Sequence, residues 1–503
     1  MQQHRAAFGI EKAGLVVAAL VCAVALAVVL AVVLTAPSAT LMVAALAAAG
    51  AATFFLVMRQ VRRPLLAALF LLAPVDISKA VIAPLADRYF AVGPYYSPGL
   101  YLSLAHVALL ALVVVWLGRR ALLEHRWPPM TRLDAFAFAY IAYIWVRSIG
   151  AAQGVLSLGS AASYSLAVLA FYVASHAIED AADMRLVIRA SLVALFIVFC
   201  YVALQSVTQS PLPLPGSKAL TAGTSVDFGG EASVFRPSGF MNHPNSLAHY
   251  LVVLIPPAFA LALLGPRRIP SHVWWMAVVT IAAAGSMLLV TLSRGGWASM
   301  LLGVLVVVVV YVYRGLVTRR QLGLAAIAVV LGSIALVIVY PDILLRLTAP
   351  DNRSLESRVL LADMAFTIIE ANPFAGVGFG DYNRAAFAYS APLFATVSAD
   401  YQLALHQLVV HNHFLLIAAE LGIPAMLLFV YLLWRFARLP YPLKRWRDPA
   451  AFAMAVGLSA SVVGEALFLN SDNYYADIRV FLFWLAAGVL QALTLQADKK
   501  AHA

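Results

Sequence analysis

Arg236, Arg294 and His411 each sit beside a long apolar run, where a charged or titratable side chain needs a reason to exist. Around the first the chain reads Phe235-Arg236-Pro-Ser-Gly-Phe-Met-Asn242-His243-Pro244-Asn245, and Asn242, Asn245 and His249 recur at helical spacing. That spacing gives a helix start with a polar face, which serves either a ligand or an ordinary capped entry with Pro244 in its first turn. The second lies in Thr291-Leu-Ser293-Arg294-Gly295-Gly296, a connection tight enough to lie at a membrane boundary, with two glycines that let backbone approach a ligand or a neighbouring helix. The third opens Val410-His411-Asn412-His413, with Glu420 about two turns deeper. Arginine offers fixed bidentate donors to an anion, and histidine accepts a proton near neutrality. Together they are equipped to grip an anion and move a proton. The plainer alternatives are an Arg236–Glu231 ion pair, snorkelling of Arg294 to lipid headgroups, and interfacial placement of the histidines, of which His413 is the plainest case.

The elements that must position these residues are membrane spans. With 63% hydrophobic and 11% charged residues in 503, the chain reads as an all-α, polytopic integral membrane protein forming a single membrane domain over 1–503. Apolar runs long enough to cross a hydrocarbon core occur near 13–35, 39–58, 64–83, 99–118, 133–149, 161–178, 187–207, 245–264, 272–292, 296–313, 321–340, 413–435, 450–470 and 478–495. This gives about 12–14 transmembrane helices at roughly 20 residues each. The run at 64–83 is the weakest, interrupted by Pro74, Asp76 and Lys79, and is expected to be broken or re-entrant.

Arginines orient the chain. Arg59, Arg62 and Arg63, then Arg119, Arg120 and Arg126, then Arg267 and Arg268, then Arg314, Arg319 and Arg320, then Arg435, Arg438 and Lys444 fall in alternate connections, which marks that side as cytoplasmic. The net charge of +11 is therefore an orientation signal, and no aromatic-interleaved basic stripe suggests nucleic acid. The long connections 208–244 and 341–412 fall outside, and Arg236, Arg294 and His411 fall with them. Within the longer one, Ser354 is positioned to cap a helix to about Glu370, with Glu356, Asp363, Thr367 and Glu370 on one side and Leu355, Val359, Phe366 and Ile369 on another. Asn372-Pro373 ends it. Such a helix would lie on the outer leaflet or lid a cleft that faces lipid.

Other motifs carry less. Gly376-Val-Gly378-Phe-Gly380 resembles a phosphate loop, but it follows a helix and a proline rather than a strand, so a turn supporting the outer loop is expected. Pro256-Pro257 reads as a kink whose freed carbonyls neighbours satisfy. Cys22 and Cys200 both fall in apolar spans and are expected to be buried, with no disulfide framework.

The ordered set Arg236 before its Pro/Gly/Asn cluster, Ser293-Arg294-Gly295, Asn372-Pro373-Phe-Ala-Gly376-Val-Gly378 and His411-Asn412 resembles the O-antigen ligase and polymerase-like membrane glycosyltransferases, over 235–300 and 353–425. The resemblance implies transfer of a glycan from an undecaprenyl-pyrophosphate donor to lipid A-core or a growing glycan, on the periplasmic face of the bacterial inner membrane. It implies that Arg236 and Arg294 hold the pyrophosphate and His411 is the base, with Asn245, His249, Asn412 and Glu420 lining the substrate site. A lipid pyrophosphate is already an activated donor, so no cofactor is expected. The outer segments hold no Asp-x-Asp pair, and Asp472 and Asp477 are loosely spaced, so no metal is expected either. The rival classes are a transporter or flippase of lipid-linked oligosaccharide, which Glu420 and Glu465 would serve by ion coupling, and a scaffold in polysaccharide export.

Overall fold

The computed structural model describes residues 61–82, 99–126, 128–213, 225–227, 233–348, 352–389, 398, 408–441, 443, 446–473 and 478–502. The expected spans 13–35 and 39–58, with Cys22, lie outside them, as do Glu231 and Asp477. The chain divides into two compact units, one of Met1–Ala68 with Ala108–Pro129 and one of Leu69–Val107 with Met130–Ala503. Helix α1 (Leu104–Gly118), which belongs to the first unit from Ala108 on, continues through a π-helical turn, Arg119–Leu123, where Arg119 pairs with Glu124 at 2.8 Å.

The regular structure of the second unit is helical among its described residues apart from two short hairpins, β1 (Ser78–Ile82) with β2 (Leu100–Ser103) and β3 (Ser225–Asp227) with β4 (Ser233–Phe235). Its helices are α2 (Arg132–Ile149), α3 (Val155–Ala177), α4 (Ala181–Thr208), α5 (Pro244–Leu264), α6 (Ser271–Val290), α7 (Arg294–Tyr313), α8 (Arg319–Val339), α9 (Asp342–Thr348), α10 (Asn352–Ala371), α11 (Tyr382–Tyr389), α12 (His413–Leu421), α13 (Ile423–Ala437), α14 (Pro449–Phe468) and α15 (Ile478–His502). Among the described residues of the whole chain, eight helices are long and apolar enough to cross a membrane, and the protein is an all-α polytopic membrane protein.

Three expected spans take another form. The run at 64–83 is helical only to residue 72 and then turns into β1, because Pro74 cannot continue the ladder. The run at 99–118 begins as β2 and becomes helical at Leu104. The run at 413–435 is two helices, α12 and α13, divided at Gly422, whose φ of 87° is left-handed.

That break is satisfied rather than strained. The carbonyls of Ala419 and Glu420 at the end of α12 accept from the N–H groups of Val377 and Gly378 at 2.9 Å each. Leu421 accepts from the Tyr143 hydroxyl at 2.9 Å, and Ile423 N–H donates to Pro373. The Gly376–Gly380 segment is thus the expected supporting turn, and it closes the orphan carbonyls of a helix end inside the protein.

The core is set by α5, α7 and α14 and by α3 against α15. Pro256 and Pro257 lie inside α5, and Pro257 leaves the carbonyl of Val253 without its helical donor. The hydroxyl of Ser461 on α14 donates to that carbonyl at 2.9 Å. Beside it Gly457 has no room for a side chain: a Cβ there would stand 2.2 Å from Pro257 Cα. The kink and the glycine fit together, so two backbones meet at the centre of the unit.

The α10 helix begins at Asn352, so Ser354 lies within it rather than capping it. Its buried face is Leu361, Met364, Ala365, Ile368 and Ile369, against α12 and α11, whereas Val359 and Phe366 are exposed. The expected apolar side is rotated: Ile369 is buried as expected, but the rest of the seam is Leu361, Met364, Ala365 and Ile368, and Val359 and Phe366 face outward. Cys200 on α4 is exposed, not buried.

Candidate functional site

Arg236, Arg294 and His411 come from three distant stretches and meet where α5, α7 and α12 begin and α14 ends. Arg236 follows β4 and is buried; its Nε donates to the Thr291 carbonyl at 2.7 Å and its second terminal nitrogen to Asn245 Oδ1 at 3.0 Å. Thr291 belongs to the turn that precedes Arg294, and Leu292 in that turn has a left-handed φ of 52°. Ser293 caps α7 through Gly296 N–H. Arg294, at the first position of α7, donates from Nε and from its terminal nitrogen to the carbonyl of Arg346 on α9, at 3.0 and 2.7 Å. Arg346 returns a bond from Nε to Leu292 at 3.2 Å. The 291–294 turn therefore carries Arg294 and supplies the carbonyl that holds Arg236, while the guanidinium of Arg294 is held by the carbonyl of Arg346.

Asn245 joins this to a second cluster. Its Nδ2 donates to Asp472 Oδ2 at 3.1 Å, and Asp472 Oδ1 accepts from Arg479 at 3.0 Å. Burial pushes the Asp472 carboxyl up, but Arg479 and His249 outweigh it and hold the group well below the usual carboxylate range. His249 is one turn into α5, buried, stacked on Phe468 with ring centroids 3.7 Å apart. Its Nδ1 lies 2.6 Å from Glu465 Oε2 and its Nε2 lies 3.6 Å from Asp472. His249 thus stands beneath the cluster, sandwiched by carboxylates, rather than on a face turned to the loop.

The His411 segment is fastened to the same place. Asn473 donates to the Val410 carbonyl at 3.4 Å, and His413 N–H to Leu469 at 2.8 Å. His411 Nδ1 lies 3.0 Å from the carbonyl of Val409, which can only accept, so Nδ1 carries the proton and Nε2 is the basic nitrogen of the neutral ring. Burial lowers the His411 pKa, helped by the positive charges of Arg358 and Arg479 and opposed by Asp472. His243, at the head of α5, is held down to about 3 by burial and by Arg236, and its Nδ1 accepts Asn245 N–H at 3.0 Å.

The remaining expected residues make local contacts. Asn412 caps α12 through Leu415 N–H at 3.1 Å. Glu420 is buried and its Oε1 accepts from Tyr382 N–H at 3.2 Å, bracing the turn between α10 and α11. His413 is buried edge-on to Phe429 at 5.2 Å, not interfacial. Asp472, Arg479 and Arg346 are the participants that sequence reasoning passed over. The orientation argument that singled out Arg294 applies equally to Arg346 and Arg479, and would have found them.

Two features mark this arrangement: two arginines held by backbone carbonyls beside the 291–294 turn, and a histidine whose segment is tied to the end of α14 next to buried Asp472. Residues 277–430 match the protein-family model described as O-antigen ligase. The matched segment begins within α6, ends within α13, and contains Arg294, His411, Asn412 and Glu420, while Arg236, Asn245 and His249 precede it. No curated protein matches the chain.

Proposed function

We propose that this protein is a membrane glycosyltransferase of the O-antigen ligase or polymerase type. It moves a glycan from an undecaprenyl-pyrophosphate donor to lipid A-core or a growing glycan, on the periplasmic face of the inner membrane. The observation that carries the reading is the convergence of Arg236, Arg294 and His411 around the 291–294 turn and Asp472, together with the O-antigen ligase match over the segment holding two of the three.

The acceptor hydroxyl gives its proton to Nε2 of His411, and its oxygen forms the new bond at the anomeric carbon. The bond from that carbon to the pyrophosphate oxygen breaks, and its electron pair leaves on the lipid pyrophosphate. Arg236 and Arg294 stabilise this developing charge, and their carbonyl anchors give the preorganisation such stabilisation requires. His411 is neutral at the pH where it must accept, because its pKa lies below the ordinary value. Asp472 orients the site by holding Asn245 and Arg479, and favours the imidazolium that forms. No metal enters this scheme.

Purified protein in detergent, supplied with undecaprenyl-pyrophosphate glycan and acceptor, tests the reading. Transfer with no vesicle lumen, lost in Arg294→Ala, is the expected result. Uptake of the lipid-linked glycan into vesicles without any transfer would favour the transporter instead.

A further inference from the structure

At the opposite ends of these helices, the start of α2 and the ends of α13 and α15 enclose a cavity of about 500 Å³. This is the volume of a small-molecule site, and none of Arg236, Arg294, His411 and Asp472 lines it. Arg132, Arg435 and Arg438 line it, against one carboxylate, Asp498. Two of the guanidiniums are set on aromatic rings: Arg438 lies over Trp434 at 5.0 Å and Arg435 over Tyr431 at 5.8 Å, with a bond from Arg435 to the Tyr431 hydroxyl at 3.0 Å. Stacking of this kind fixes a guanidinium plane while its edge stays available to an anion.

A second observation is independent of the charges. Gln491 lines the same cavity and is 2% exposed. Its Nε2 donates to Asp134 Oδ1 at 2.9 Å and to Thr131 Oγ1 at 3.2 Å, which fixes the orientation of the amide, since the Asp134 carboxylate accepts. Its Oε1 is then buried with no hydrogen-bond partner among the described residues. A buried acceptor left this way costs stability unless a donor arrives. An arginine that merely snorkels to headgroups needs neither a concave lining nor a buried acceptor.

We infer that this cavity binds a phosphate ester that also carries a hydroxyl, the chemistry of a phosphatidylglycerol headgroup: the arginines take the phosphate and Gln491 Oε1 accepts from the hydroxyl. A zwitterionic headgroup fits worse, because its ammonium would sit among three guanidiniums and one carboxylate. Either a lipid of the adjoining leaflet or a soluble glycerol phosphate has the required groups.

The test is native mass spectrometry of the delipidated full-length protein titrated with phosphatidylglycerol or with phosphatidylethanolamine. Phosphatidylglycerol is expected to be retained preferentially, and Arg435→Gln/Arg438→Gln to weaken its retention roughly tenfold or more, as loss of charge-assisted bonds implies. Arg132→Gln, exposed at a helix start, is the second variant and should weaken retention with an unchanged melting temperature. Competition by glycerol 3-phosphate would support the site and assign its occupant to the soluble ester, whereas retention that resists it assigns the lipid. Equal retention of both lipids would overturn the proposal, as would equal losses in an Arg319→Gln/Arg320→Gln control.

Discussion

The backbone N–H of His413 donates to the carbonyl of Leu469 at 2.8 Å, tying the segment that carries His411 to the end of α14. Three residues further along that end stands Asp472, paired with Arg479 and Asn245, with the rest of the arginine cluster beyond. The His411 segment and the Asp472–Asn245–Arg479 cluster are thus built on one helix end, and a change at either is expected to register at the other.

The pH profile reads this coupling. With the His411 pKa below its ordinary value, transfer should hold steady as pH falls to about 6.5 and decline only below it. Arg358 is exposed and depresses that pKa, so Arg358→Gln should move the decline to higher pH; Asp472 raises it, so Asp472→Asn should move the decline to lower pH. Transfer rates measured from pH 5 to 8 check the signs, and two shifts in the same direction would remove His411 from the role of base. His411→Ala should lose about 10²- to 10⁴-fold in turnover with donor binding retained.

For the arginines the fork matters as well as the charge. Arg236→Lys and Arg294→Lys keep the charge but cannot hold a carbonyl and an anion together, so each should be nearly as damaging as alanine. A lost charged hydrogen bond is worth roughly 1.5–3 kcal/mol, or about 10- to 150-fold in rate. Steady-state transfer by variants of equal abundance measures it, and full activity in Arg294→Ala would leave that side chain as an anchor for α9 alone.

Gly457→Ala should be strongly disruptive, since the new Cβ would stand 2.2 Å from backbone that cannot yield. Ser461→Ala removes the donor to Val253 and should cost about 1–3 kcal/mol. Thermal unfolding in detergent checks both, and a Gly457→Ala protein with wild-type stability would mean that α5 and α14 pack otherwise.

Sidedness is checked by impermeant labelling of single cysteines in a Cys22→Ser/Cys200→Ser background. Ser398→Cys should react in intact spheroplasts and Ser271→Cys should not, as the arginine asymmetry requires. The reverse pattern would turn the candidate site toward the cytoplasm and end the proposed function.

Residue order alone carries the helical membrane class, because apolar runs and basic connections are local and additive. It also singled out Arg236, Arg294 and His411, since a charge placed against the orientation rule stands out one residue at a time. It could not determine where a run breaks: 413–435 reads as one span until Gly376 and Gly422 interlock two distant backbones. Nor could it choose which face α10 buries, or match Ser461 to the carbonyl that Pro257 leaves open. Asp472 looked like a loose acidic residue and Glu420 like a spare base; only packing set one between Asn245 and Arg479 and spent the other on Tyr382. Hydrogen-bond partners hundreds of residues apart leave no period or spacing in the chain, so tertiary structure alone decides which polar residues form the site and which hold up its frame.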